Sequence, residues 1–300
     1  MRSAGQRWGA CVTGLLRRVW QRRVRPRSAG VFVTHVRGAA VERHFQRLLR
    51  ESGHLIDWHF VLNDGDMPAP QTDLPVAPPE RIMPARYAQM LANGGIMNGL
   101  GDTMFMPCAL AAARRFVWVM EYDVDYAGHW AEFFAPFATD TTDLLTTTVT
   151  SPDSEPGWHH WTTARTPASV ARTQWRRGFH PIMRASRRLI ERYCAAASDP
   201  AWGGHHEFVL PTVTVASGLS LRDLRDGATS GRSHVPTYRN TPGDTLLRPG
   251  TFIWRPARTA YFHEAPDTFE ERARLYHPIK TDHDGWDVAF NARRAARAGA

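Results

Sequence analysis

The chain contains almost no lysine. Its 37 basic residues are 36 arginines and a single lysine, Lys280. Arginine is thus used wherever a cation is wanted, and the one exception stands out. Cysteine is scarce as well: Cys11, Cys108 and Cys194 are odd in number and far apart. That argues against a disulfide framework and fits a reduced, cytoplasmic setting. No uninterrupted apolar run reaches the roughly 18 residues of a membrane-spanning helix. Acid is missing from residues 1–30, which carry eight arginines. The remainder holds 29 basic and 29 acidic residues, so the net charge of +8 belongs to the amino-terminal segment. A nucleic-acid binder concentrates basic charge on its folded surface; a neutral domain behind a basic leader does not fit that class.

What is present is enough for a sizeable core. The 300 residues are 43% hydrophobic and include eleven tryptophans, and they read as one main domain over residues 30–290. Residues 1–29 form a basic leader with Trp8, Leu15, Leu16, Val19 and Trp20 at roughly helical spacing. Such a segment reads as an amphipathic helix lying on an anionic membrane surface, with a disordered tail or a start codon placed too far upstream as the alternatives. Residues 1–28 are therefore the candidate for peripheral contact with the inner membrane face. Residues 291–300 read as a frayed Ala/Arg tail.

Along the domain, VFVTHV (31–36) reads as a buried strand. VERHFQRLLRESG (41–53) reads as a helix stopped at Gly53, and IDWHFVLND (56–64) as a second strand. A proline-rich loop (68–79) follows, with a short strand expected near 80–83. Residues 101–115 read as a helix, 116–123 as a strand, 130–137 as a helix and 143–150 as a strand. Residues 182–197 read as one helix, and a further helix is expected after GGHHEF (203–208) to about Ala216. TFIWRP (251–256) reads as a late strand. Strands alternating with helices predict an α/β fold with a mostly parallel sheet flanked by helices.

The apolar strand FVWVM runs into acid: Glu121, Asp123 and Asp125 follow at every second position. Ligands in open α/β sheets bind beyond the carboxyl ends of strands. Carboxylates so close repel by about 4 kcal/mol at roughly 4 Å and an effective dielectric near 20. A divalent metal, a sugar hydroxyl network or a shared proton offsets that repulsion; the plain alternative is a solvated acidic turn. Residues two apart in extended chain face together, and a turn at Val124 re-aims the last acid.

FVWVMEYDVDY resembles the D-x-D segment of GT-A type glycosyltransferases, which use nucleotide-sugar donors. The resemblance spans about residues 30–285 and implies a Rossmann-like sheet. In this family the acidic motif sits beside the donor diphosphate, usually with Mn²⁺ or Mg²⁺. Carried onto this chain, Asp123 and Asp125 become metal ligands, Asp123 also faces the donor, and His277 is the late metal ligand, with His263 its competitor. Thr34, His35 and Asp64, at the ends of the first two strands, are placed against the base and ribose. Glu207, in GGHHEFVLPTV, falls where inverting members keep the general base; a capping role is its alternative, since the helix dipole favours an ionised carboxylate there. Lys280, in RLYHPIKTD, is the compact cation for the diphosphate, with Arg272 and Arg274 nearby. Adjacent histidines point apart on a helix, so at most one of His205 and His206 is expected to serve as a ligand. Trp158, His159, His160 and Trp161 suit either an acceptor site or the core.

The resemblance thus implies an inverting glycosyltransferase with a nucleotide-sugar donor and a glycan or other hydroxyl acceptor. This chain departs from the pattern through Glu121, which leaves three carboxylates for two metal positions. Two other readings stay open: a metal-dependent phosphohydrolase using the D-x-D acids, and a non-enzymatic carbohydrate-binding protein.

Overall fold

The computed structural model describes residues 28–224, 272–273 and 275–277. The expectations for the leader, the strand at 251–256, His263, Arg274, Lys280 and the tail lie outside the described residues.

A six-stranded mixed sheet organises the chain in the order β2-β1-β3-β6-β5-β7. Its strands are β1 (Ser28–Thr34), β2 (Ile56–Leu62), β3 (Phe116–Glu121), β5 (Leu144–Thr150), β6 (Arg177–Ser186) and β7 (Leu221–Asp223). β1 pairs in parallel with β2 and β3, β5 pairs in parallel with β7, and β6 runs antiparallel to both neighbours. The sheet is α/β in character, as the alternation predicts. The antiparallel β6 at its centre was not foreseen.

Seven α-helices are described: α1 (Ala39–Ser52), α2 (Pro79–Ile82), α3 (Pro84–Ala92), α4 (Asp102–Ala111), α5 (Trp130–Phe134), α6 (Arg187–Ala196) and α7 (His206–Ala216). The pleat of β3 explains its continuous apolar run. Val117 and Val119 join one core with residues of α4, α6 and α7. Trp118 and Met120 join the other, with α1 and the aromatic residues of α5. A strand covered on both faces has no polar positions to offer.

Two expectations are corrected. Residues 79–82 are helical, not a strand: Pro79 sits in the first turn, where its fixed φ suits a helix and its missing N–H costs nothing. Residues 182–186 belong to β6, not to a helix beginning at Ile182; the helix starts only after Ser186. There the Ser186 side chain accepts a hydrogen bond from the Leu189 N–H and donates to Asp143 at 2.6 Å.

A second, two-stranded sheet pairs β4 (Asp125–Tyr126) with β8 (Leu275–Tyr276), with Asp125 opposite Tyr276. This pairing brings the carboxyl-terminal part of the chain against the acidic motif.

Candidate functional site

The sheet changes direction of growth at the β1/β3 boundary. The chain builds β2 on one side of β1 and then crosses to place β3 on the other. The carboxyl ends of adjacent strands diverge there, which makes that rim the expected binding crevice of an open α/β sheet. Glu121 ends β3 at this rim. The Val124 N–H then closes a turn onto the Glu121 carbonyl at 3.2 Å, and the turn separates the three acids.

Glu121 and Asp123 stay together. His277, delivered by β8, places Nε2 3.4 Å from a Glu121 oxygen and 3.6 Å from an Asp123 oxygen. One donor atom from each of Glu121, Asp123 and His277 lies within 4.8 Å of the others. Asp123 and His277 are buried, while Glu121 is partly open to solvent. Two carboxylates and one imidazole form a donor set dominated by hard oxygen, of the kind that suits Mn²⁺ or Mg²⁺.

Asp125 goes elsewhere, which corrects its expected role beside Asp123. Its carboxylate is fully buried and accepts from Arg47 of α1 at 2.7 Å and from the Tyr126 N–H at 2.6 Å. Arg47 also donates to the carbonyls of Tyr126 and Gly128. His44, one turn before Arg47, bonds the Val124 carbonyl through Nε2 at 2.9 Å. Asp125 therefore fastens the motif to α1. Arg47 carried no signal as a partner in the sequence, because an arginine on a helix reads as solvated.

The residues at the ends of β1 and β2 are placed as follows. Thr34 is buried, and its hydroxyl closes the turn after β1 by donating to the Val36 carbonyl at 2.8 Å. His35 is exposed, with its ring edge-on to Tyr122, 5.0 Å between centroids. Asp64 is exposed and lies 3.7 Å from Arg37. His35 thus stands against Tyr122 of the acidic turn.

Glu207 reaches the same rim from the other side. Ile182 of β6 pairs with Met120, the last β3 residue in that ladder. Residues 177–180 of the antiparallel β6 therefore extend past the carboxyl end of β3. Arg177, at the start of this extension, is 3.7 Å from Glu207 and donates to Glu155 at 2.6 Å. Its guanidinium lies over the Trp158 ring, 5.0 Å from the centroid. Phe179 of the same extension packs edge-on against His277, with centroids 5.5 Å apart. Nothing in the sequence distinguishes Arg177 from the other arginines.

Burial pushes the Glu207 carboxyl up to about 7; Arg177 pulls it down, and the nearby charges of Glu121 and Glu155 add to the rise. Its side chain is only 13% exposed. The capping alternative is also resolved. His205 is the N-cap of α7, and its Nδ1 accepts from the Glu207 N–H at 3.2 Å. Desolvation thus outweighs the helix dipole at this carboxylate.

Backbone irregularity gathers on the same rim. The β5–β6 register shifts twice between Leu145 and Thr150, and Thr148 adopts φ of 55°. Bulges and positive φ at a non-glycine residue collect next to functional sites. Trp158 and Trp161 are buried in the core and so serve packing, while His159 is exposed.

No known family model matches the chain, and no curated protein matches it in sequence.

Proposed function

We propose that the chain is a glycosyltransferase of the GT-A type, moving a sugar from a nucleotide-diphosphate donor to an acceptor hydroxyl with inversion. One observation carries this reading. Glu121, Asp123 and His277 converge at the switch point of the sheet, and Glu207, whose carboxyl lies near 7, feels the charge of Glu121 from the same rim.

A general base works best with a pKa close to the working pH. Glu207 meets that condition, and Arg177 orients its carboxylate from 3.7 Å. In the proposed reaction Glu207 takes the acceptor's proton as the hydroxyl oxygen attacks the anomeric carbon, and the nucleoside diphosphate leaves from the opposite face. Glu121, Asp123 and His277 would hold the divalent ion, which when bound offsets the charge developing on the diphosphate. Lys280 enters on sequence grounds alone, as a cation for that diphosphate. His35 and Tyr122 offer ring surface beside the acidic turn for the nucleoside.

The phosphohydrolase reading needs both aspartates of D-V-D in one site, as nucleophile and acid. Asp125 is committed to Arg47, which disfavours it. The carbohydrate-binding reading gives no reason for a buried carboxyl whose pKa is raised within the field of Glu121 and Glu155.

The test is a panel of nucleotide sugars screened by thermal shift with and without Mn²⁺. One donor is expected to raise the midpoint by mass action, more so with Mn²⁺, and Asp123→Asn is expected to remove the Mn²⁺ increment. Glu207→Gln should bind that donor yet fail to transfer. No response to any nucleotide sugar, together with phosphate release from simple phosphate esters, would overturn the proposal.

A further inference from the structure

The two histidine pairs of the sequence, His159–His160 and His205–His206, have no role in the proposed transfer. The fold brings both pairs together. Ring centroids are 3.8 Å apart for His159 and His160, 4.2 Å for His160 and His205, and 4.8 Å for His205 and His206. His180 of β6 adds a fifth imidazole, 5.8 Å from His206. We propose that His205, His206 and Glu207 form a binding site for a transition metal of the Zn²⁺ or Co²⁺ class, separate from the Glu121–Asp123–His277 group.

Geometry comes first. Donor atoms of His205, His206 and Glu207 all lie within 4.8 Å of one another. Adjacent histidines on a helix would splay apart, but His205 is not on the helix. As N-cap it has φ −64° and ψ 141°, an extended conformation that turns its ring towards that of His206. Gly99 holds the ring there. With φ of 88° it packs so tightly against His205 that any Cβ at position 99 would collide with the imidazole.

Donor chemistry selects the metal. Two imidazoles and one carboxylate suit Zn²⁺ or Co²⁺, with an open position left for a further ligand, whereas sites for Mg²⁺ are built from oxygen. Metals bind the uncharged imidazole.

The surroundings also favour a cation. His180 is 4% exposed, and its Nε2 is buried with no hydrogen-bond partner, as is Nδ1 of His206. The Thr146 hydroxyl donates to the Phe179 carbonyl at 2.7 Å, so it can only accept from His180 Nδ1, also at 2.7 Å. That arrangement leaves Nε2 of His180 as a bare lone pair beside His206. Leaving such a buried group unsatisfied is costly, and a metal held by His206 would give this corner of the fold a charge to face. Glu207 is also the base of the proposed transfer, and a carboxylate bound to a metal does not take the acceptor's proton, so metal at this site and sugar transfer exclude one another.

The test uses the full chain without a histidine tag, stripped of metal and titrated with Co²⁺ while visible absorption is followed. The expected result is a Co²⁺ spectrum of low coordination number, displaced by Zn²⁺. His205→Asn preserves the N-cap, because asparagine caps helices well, and removes one ligand. It and Glu207→Gln should each weaken Co²⁺ binding at least about tenfold, while a Co²⁺ spectrum of low coordination number persists in Asp123→Asn. Absence of any spectrum beyond that of hydrated Co²⁺ overturns the proposal. So does a spectrum that survives both His205→Asn and Glu207→Gln, or one that disappears in Asp123→Asn.

Discussion

Glu207 and Asp125 are both carboxylates near an arginine, yet their fates differ because their contacts differ. Asp125 accepts two charge-directed hydrogen bonds; Glu207 meets Arg177 only at 3.7 Å. Removing one partner of a buried ion pair leaves the other uncompensated, so Asp125→Ala should lower unfolding stability by about 3–5 kcal/mol in urea titrations. Asp123→Asn should abolish transfer with little change in the unfolding midpoint, since it relieves repulsion from Glu121. For Glu207 the folded protein holds a proton that the unfolded chain releases between its ordinary value of 4.5 and about 7. Stability therefore falls as pH rises through that window. Glu207→Gln removes the effect, and above pH 7 the variant should be the more stable, by on the order of 3 kcal/mol, with no gain near pH 4. Thermal melts at the two pH values check this. None of it follows from the sequence, where both residues are acids beside apolar runs.

Among the elements, those with one clear signal were legible. α1 turns one face inward through Val41, His44 and Leu48 and ends at Gly53. β3 announces itself through five consecutive buried residues. β6 is less legible: it contains Pro181, a residue that strand interiors mostly exclude. It falls where the β5 register shifts and just past the last β3 pair, so no register pair on either side includes it. The helix expected over 182–197 therefore overlaps the last five residues of β6. The true boundary is Ser186, which caps α6 and bonds Asp143. Ser186→Ala should cost about 1–2 kcal/mol, measured by chemical denaturation. Smaller elements such as α2 and β7 are decided by what they pack against more than by their own few residues.

For the whole molecule, charge is the property that composition alone settles. Residues 1–27 hold eight of the 37 basic residues and no acid, so their removal takes the net charge from +8 to 0. Affinity for anionic vesicles should therefore reside in that segment, weaken with added salt, and vanish on its deletion, as read by co-sedimentation. Among the described residues no helix is long and apolar enough to cross a membrane. The sequence by itself determined the α/β alternation, the covered central strand and the acidic motif at its end, since each depends on neighbours within a few residues. The tertiary structure alone decided which acids meet. Glu121 pairs with Asp123 because a turn intervenes before Asp125. His277 joins them because β8 pairs with β4, about 150 residues earlier in the chain. Glu207 is set near neutrality by burial against side chains from three distant segments. Side-chain direction and desolvation are properties of the packed interior, and local sequence carries no record of them.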